Sequence, residues 1–132
     1  FIRFFDGFFT LDTVRGLEVN LAVSGEDGFA MTGTSSMSEI ARDPEALVRE
    51  MIGTTHQYPD GAVLYLGTMF APTEDRGETG MGFTHRVGDI VTISTPALGS
   101  LTNRMTTSDN AAPWTFGAAD LMRNLARRGL LG

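Results

Sequence analysis

The sequence predicts a mainly β domain with a few peripheral helices, an α+β class, on three observations. Residues 17–24, "LEVNLAVS", alternate so that Leu17, Val19, Leu21 and Val23 share one face, the period of a half-buried strand. Two further strand-like stretches, "GDIVTIST" and "GSLTNRMTT", meet around Pro96-Ala97-Leu98-Gly99. The helical stretches are short and scattered, with no regular strand–helix–strand alternation of the kind a parallel sheet requires.

The elements follow in order. "FIRFFDGFF" opens the chain with five of its nine phenylalanines and shows no charged-then-apolar leader. So large an aromatic patch is rarely left open on a soluble monomer. Phe1 is therefore expected to be internal to a longer protein, the alternative being a tail folded onto its own core. After "LEVNLAVS", Asp27-Gly28 predicts a hairpin turn, which needs positive φ, and "FAMTGT" is the returning strand. Ser36 with Glu39 has capping-box spacing for a helix start. Asp43-Pro44 starts another helix, aspartate as N-cap and proline in the first turn. Leu47, Val48, Met51 and Ile52 form its expected buried stripe, and Gly53 ends it. "AVLYL", residues 62–66, is apolar on both faces and predicts a buried strand. It stops at Gly67-Thr68, and a long loop rich in glycine and charge runs on to His85. Such loops in compact domains are usually functional or disordered. The C-terminal "GAADLMRNLARRGLLG" predicts an amphipathic helix with Ala118, Leu121, Met122 and Leu125 on one face and Gly129 as the C′ residue.

At 132 residues the chain is one domain at most. A formal net charge of -6 argues against a nucleic-acid partner, which needs a basic surface. No apolar run approaches the ~20 residues of a membrane helix. Cysteine is absent, which removes disulfides and thiolate metal sites and suits a cytoplasmic location.

Residues that carry chemistry are sparse. No phosphate-binding loop, dinucleotide fingerprint, HExxH or GxSxG is present. His56 lies in a helix-to-strand connection, a setting for a surface or turn-bonding histidine. His85 lies where the loop rejoins a strand and is a candidate lid or substrate contact. Glu74, Asp75 and Glu78 are either a cation site or a solubilising loop, and Glu26-Asp27 is a hairpin tip. Arg76 either meets a substrate carboxylate bidentately or forms a loop salt bridge. Gly67-Thr68 is the better candidate: glycine lets backbone approach a ligand, and threonine offers a hydroxyl and an N–H. The competing account is a glycine turn with a capping threonine.

The order of these motifs resembles the end of the fumarylacetoacetate hydrolase superfamily. A strand runs into Gly67-Thr68, then come Gly88-Asp89-Ile90-Val91 and Gly99-Ser100-Leu101-Thr102-Asn103. Upstream, "TSSMSEIARDPEALV" and "YPDGAVLYLGT" look like family segments, and the resemblance covers nearly the whole chain. Met69-Phe70 departs from the family's proline after Gly-Thr. With "SSMSEI", "HQYPDG" and "APWTFGAADLMRNLARRGLL" this looks like the branch of 2-keto-3-deoxy-sugar-acid dehydratases.

The resemblance implies a mixed β-roll of the fumarylacetoacetate hydrolase C-terminal domain type, incomplete in this chain, with residues 1–132 its C-terminal portion. It implies Mg²⁺-dependent dehydration of a 2-keto-3-deoxy pentonate to 2-oxoglutarate semialdehyde, with the three carboxylate ligands of the Mg²⁺ upstream of this chain and none within it. It also implies a homodimer, and no activity from this portion alone. Thr68, Gly67 and Met69 would hold the substrate, a 2-keto acid, and the loop with Phe70, Arg76 and His85 would close over it. The alternatives are a metal-dependent C–C hydrolase or decarboxylase of a diketo acid, and a non-catalytic acidic binding or assembly module.

Overall fold

A computed structural model describes residues 3–131, so the expectation for Phe1 lies outside the described residues. Among them, four strands form one antiparallel sheet: β1 (Glu18–Ser24), β2 (Ala30–Ser36), β3 (Ile90–Thr95) and β4 (Gly99–Arg104), in the order β2-β1-β3-β4. The helices are α1 (Leu11–Arg15), α2 (Pro44–Met51) and α3 (Ala118–Arg127). This is the small α+β architecture that the alternation predicted.

Register follows from that alternation. Leu21 pairs with Gly33 on one side and Ile93 on the other, and Ile93 pairs with Leu101. Paired residues share a face, so Val19, Leu21, Val23, Met31, Val91, Ile93 and Leu101 form an apolar side. Asn20, Thr34, Thr92 and Thr102 form a polar one, cross-linked by hydroxyls: Thr34 Oγ1 donates to Asn20 Oδ1 at 2.9 Å. The β1–β2 turn closes as expected, with Gly28 at φ 81° and the Gly25 N–H donating to the Phe29 carbonyl at 2.8 Å.

Coverage of the apolar side is uneven. Phe9, Val23, Met31 and Met37 are buried, whereas Ile93 and Leu101 stay 45% and 54% exposed. The accessible surface is 10241 Å², against roughly 6,800 Å² for a compact monomer of this size. The "FIRFFDGFF" segment divides similarly: Phe9 is buried and stacks on Phe5 with ring centroids 5.9 Å apart, while Phe4 and Phe8 face solvent. Asp6 organises it by accepting the Phe8 and Phe9 N–H groups, each at 2.7 Å.

Three expectations are corrected. Residues 62–66 form no strand, and Val63 and Tyr65 are 76% and 89% exposed. A run apolar on both faces gains from strand pairing only where both faces are covered, and this sheet is covered on one side in part. The stripe of α2 is not buried: Leu47 and Met51 are half-buried, and Val48 and Ile52 are exposed. Pro44 is the buried residue of that helix. Ser36 begins a single 3₁₀ turn, Met37–Glu39, in place of an α-helix, and its hydroxyl bonds Ser38 Oγ at 2.8 Å without capping.

The cap of α2 is as expected, Asp43 accepting the Glu45 N–H at 3.0 Å. α3 ends in a full Schellman motif: the Leu130 N–H reaches the Leu125 carbonyl and the Gly129 N–H the Ala126 carbonyl, both at 3.0 Å, with Gly129 at φ 66°. α1 was not anticipated. Thr10 caps it with Thr13 at the third position, where a capping box usually shows glutamate or glutamine. Among the described residues no helix is long and apolar enough to cross a membrane.

Candidate functional site

The loop after Gly67 is pinned along the β1–β2 hairpin at two places. Gly67 turns the chain at φ 81°. The Met69 N–H then donates to Ser35 Oγ on β2 at 3.0 Å. Thr68 Oγ1 accepts the Phe70 N–H at 3.2 Å. It lies 3.1 Å from the Phe70 carbonyl and 3.5 Å from Ser35 Oγ, either of which can take its single proton. Thr68 remains exposed, and among the described residues neither its N–H nor that of Gly67 has a partner.

Phe70 is seated by the next residue inward on the same face of β2. Its ring occupies the space a side chain at Gly33 would fill, so that any Cβ there overlaps the ring carbons. Phe70 and Pro72 on one side, with Val19, Leu21 and Ile93 on the other, enclose a cavity of ≈ 270 Å³. Ser35 and Thr68 line its polar part. A larger cavity, ≈ 550 Å³, lies elsewhere, between α1, the start of β1 and the β3–β4 turn, and is lined by none of the candidate residues.

The second anchor is Arg76. Its Nη1 and Nη2 bind the two oxygens of Asp89 at 2.5 and 2.8 Å, and its Nη2 and Nε bind Asp27 at 2.9 and 3.3 Å. The guanidinium also stacks on the Phe29 ring, 4.6 Å from its centroid. Arg76 is 7% exposed and Asp89 1%, so this is the salt-bridge alternative, and the guanidinium has no open side for a substrate carboxylate. The Arg76 hydrogen bonds hold the Asp89 carboxyl far below the usual carboxylate range against the opposing effect of burial, helped by the Arg86 N–H. Arg76 lowers Asp27 in the same way.

His85 joins this second cluster, its Nδ1 3.7 Å from Asp89 and its ring edge-on to Phe83. His56 is exposed and bonds its neighbour Thr55. Asp75 folds the loop on itself by accepting the Gly80 and Gly82 N–H groups, each at 2.7 Å, and these bonds lower its pKa. Among the described residues no three His, Asp or Glu side chains are placed to hold a metal ion.

Of the residues singled out from sequence, Thr68 and Phe70 line one cavity with Gly67 and Met69 in the same turn, and Arg76 and His85 cluster around Asp89. Ser35 and Gly33 were missed. A glycine inside a strand is a legible sign of close approach by another group, and Gly33 carried it. Nothing comparable marked Ser35. Comparison with family models, curated proteins and solved structures finds no match to this chain.

Proposed function

We propose that the Gly67-Thr68 turn is the carboxylate-binding side of a site for a 2-keto acid, and that the whole protein dehydrates a 2-keto-3-deoxy pentonate to 2-oxoglutarate semialdehyde. One observation carries the proposal. Thr68 and Ser35 place hydroxyls at the polar part of a small, otherwise apolar cavity, and in the turn that carries Thr68 the N–H groups of Gly67 and Thr68 have no partner among the described residues. Backbone N–H groups gathered at such a turn suit an anion, and the cavity suits a compact ligand. The motif order that resembles the fumarylacetoacetate hydrolase superfamily supports the same reading, including its β-roll and homodimer.

Dehydration takes a proton from the carbon beside the keto group and hydroxide from the next, so one water leaves. The unsaturated keto alcohol formed becomes the isomeric semialdehyde when a proton leaves its terminal CH2OH carbon and protons are returned to the chain, with no further atoms gained or lost. In this scheme Thr68 and the turn fix the carboxylate, which orients the carbon beside the keto group, and Phe70 limits water above it. Magnesium, when bound, would stabilise the enolate as a Lewis acid. The described residues offer it no site, and its ligands are proposed to come from outside them.

The walls favour a second reading. Val19, Leu21, Ile93, Phe70 and Pro72 leave substrate hydroxyls without partners, which costs binding and favours a less hydroxylated diketo acid cleaved between carbons or decarboxylated. The uncovered surface favours a third, an assembly role for this chain without chemistry of its own. Supplying each substrate to the whole protein with Mg²⁺ separates them. A semialdehyde product supports the first reading, two shorter acids or carbon dioxide the second, and no turnover of either the third.

A further inference from the structure

The geometry points to Ser35 as the positioning residue of this site: its hydroxyl fixes the Gly67-Thr68 turn, and with it the direction in which Thr68 presents its donors. The inference rests on the proposed role of Thr68 and adds a residue to which the motif resemblance assigns no role.

Ser35 and Gly33 lie two apart on β2, so their Cα atoms are ~6.8 Å apart on the same face. They receive consecutive parts of the loop: Ser35 takes the Met69 N–H at 3.0 Å, and Gly33 takes the Phe70 ring. Farther along the hairpin, Asp27 and Phe29 take Arg76. Loop and β2 therefore run antiparallel, and Ser35 is the fixed point nearest Thr68. Among the described residues, the side-chain hydrogen bonds of Thr68 are of two kinds. One is its local exchange with the Phe70 backbone, and the other is the 3.5 Å approach to Ser35 Oγ. The first turns with the loop, since both groups belong to it. The second refers the turn to the sheet. Without the Ser35 hydroxyl, the Met69 N–H loses its acceptor and the turn loses its register on β2, while the ladder bonds of β2, which are backbone bonds, stay as they are.

The test is a set of variants of the whole protein read in two ways. Ser35→Ala is expected to speed hydrogen exchange of the Met69 amide roughly tenfold, with the amides of β1 and β3 unchanged. It is also expected to raise KM for the 2-keto acid about tenfold with a much smaller change in kcat. Ser35→Thr should restore both, and Ser35→Val, the same shape without the hydroxyl, should not. In a Thr68→Ala background the Ser35 change should add little, because it acts through Thr68. If Ser35→Ala leaves Met69 exchange unaltered, the inference is wrong. If it adds its full effect to Thr68→Ala, Ser35 touches the ligand itself and the positioning role is overturned. If Thr68→Ala leaves KM unchanged while Met69 exchange still responds to Ser35, it is the proposed function that fails. Where Ser35→Ala does not fold, the Thr and Val pair decides alone, since their β-branched side chains suit a strand.

Discussion

The two ends of one loop are held to the same hairpin by different chemistry. At Arg76 the anchor is ionic and buried: a guanidinium forked onto Asp89 and Asp27, stacked on Phe29, with Asp89 1% exposed. At Thr68 the anchor is neutral and open, made of hydroxyls and one ring lying on a glycine. A saturated ion cluster has no capacity left for a ligand, and its groups cannot leave without stranding a buried charge. Hydroxyl contacts exchange cheaply with water or with a ligand. Placing a rigid anchor at one end leaves the other able to adapt, and that is the end where the proposed site lies.

The comparison is broken most directly at the ionic end. Asp89→Ala removes the buried partner of Arg76, leaves it the partly exposed Asp27 as a counter-charge, and should lower the thermal midpoint by roughly 10 °C or more, the largest single effect expected here. Arg76→Met combined with it should cost less than the two separately, because they remove one interaction. A thermal melt that barely moves for Asp89→Ala would mean the loop is held elsewhere.

Acid acts on the same pair with an effect bounded by that substitution. The folded Asp89 carboxyl is depressed below its ordinary value of 3.8, so the folded state binds this proton less readily than the unfolded chain. The stabilisation is complete above the ordinary value and lost as pH falls toward the depressed one. Urea midpoints should be flat from about pH 8 to 5 and fall below about pH 4. The fall should be shallower in Asp89→Asn but present, since Asp6, Asp27, Asp43 and Asp75 are also lowered.

At the neutral end, Gly33→Ala places a methyl where the Phe70 ring lies. Overpacking of this kind costs about 1–3 kcal/mol. The same methyl should cost little once Phe70→Ala has emptied the seat, so denaturation of the single and double variants isolates the contact. An equal cost in both backgrounds would place the strain in β2 itself.

These contacts also mark what could be read in advance. β1 to β4 were legible because alternation, turn glycines and Asp27-Gly28 all act locally. The cap of α2 and the end of α3 were legible for the same reason. The misread run at 62–66 carried a correct apolar pattern, but no pattern states what will cover it. The partners of the loop were out of reach: Arg76 meets Asp27 across 49 residues and Met69 meets Ser35 across 34. Arg76 as a salt bridge was foreseeable in kind. Its choice of Asp89 depends on where β3 docks on β1, which is tertiary information.

The smallest expected change in stability belongs to the residue with the largest proposed role. Thr68 is exposed, and its side-chain bonds are to the loop's own backbone and one neighbouring hydroxyl. Removing it should alter stability by no more than about 0.5 kcal/mol, as for surface positions generally. The proposed function demands the opposite of its kinetics, because a lost donor to a substrate carboxylate falls wholly on binding and turnover. Urea titration beside steady-state kinetics of Thr68→Ala in the whole protein therefore sets the two ends of the loop against each other. Asp89→Ala should destabilise the protein with kcat/KM per folded molecule nearly preserved, and Thr68→Ala should lower kcat/KM with stability nearly preserved. Losses in the same proportion for both variants would mean that the loop acts as one structural unit with no open end.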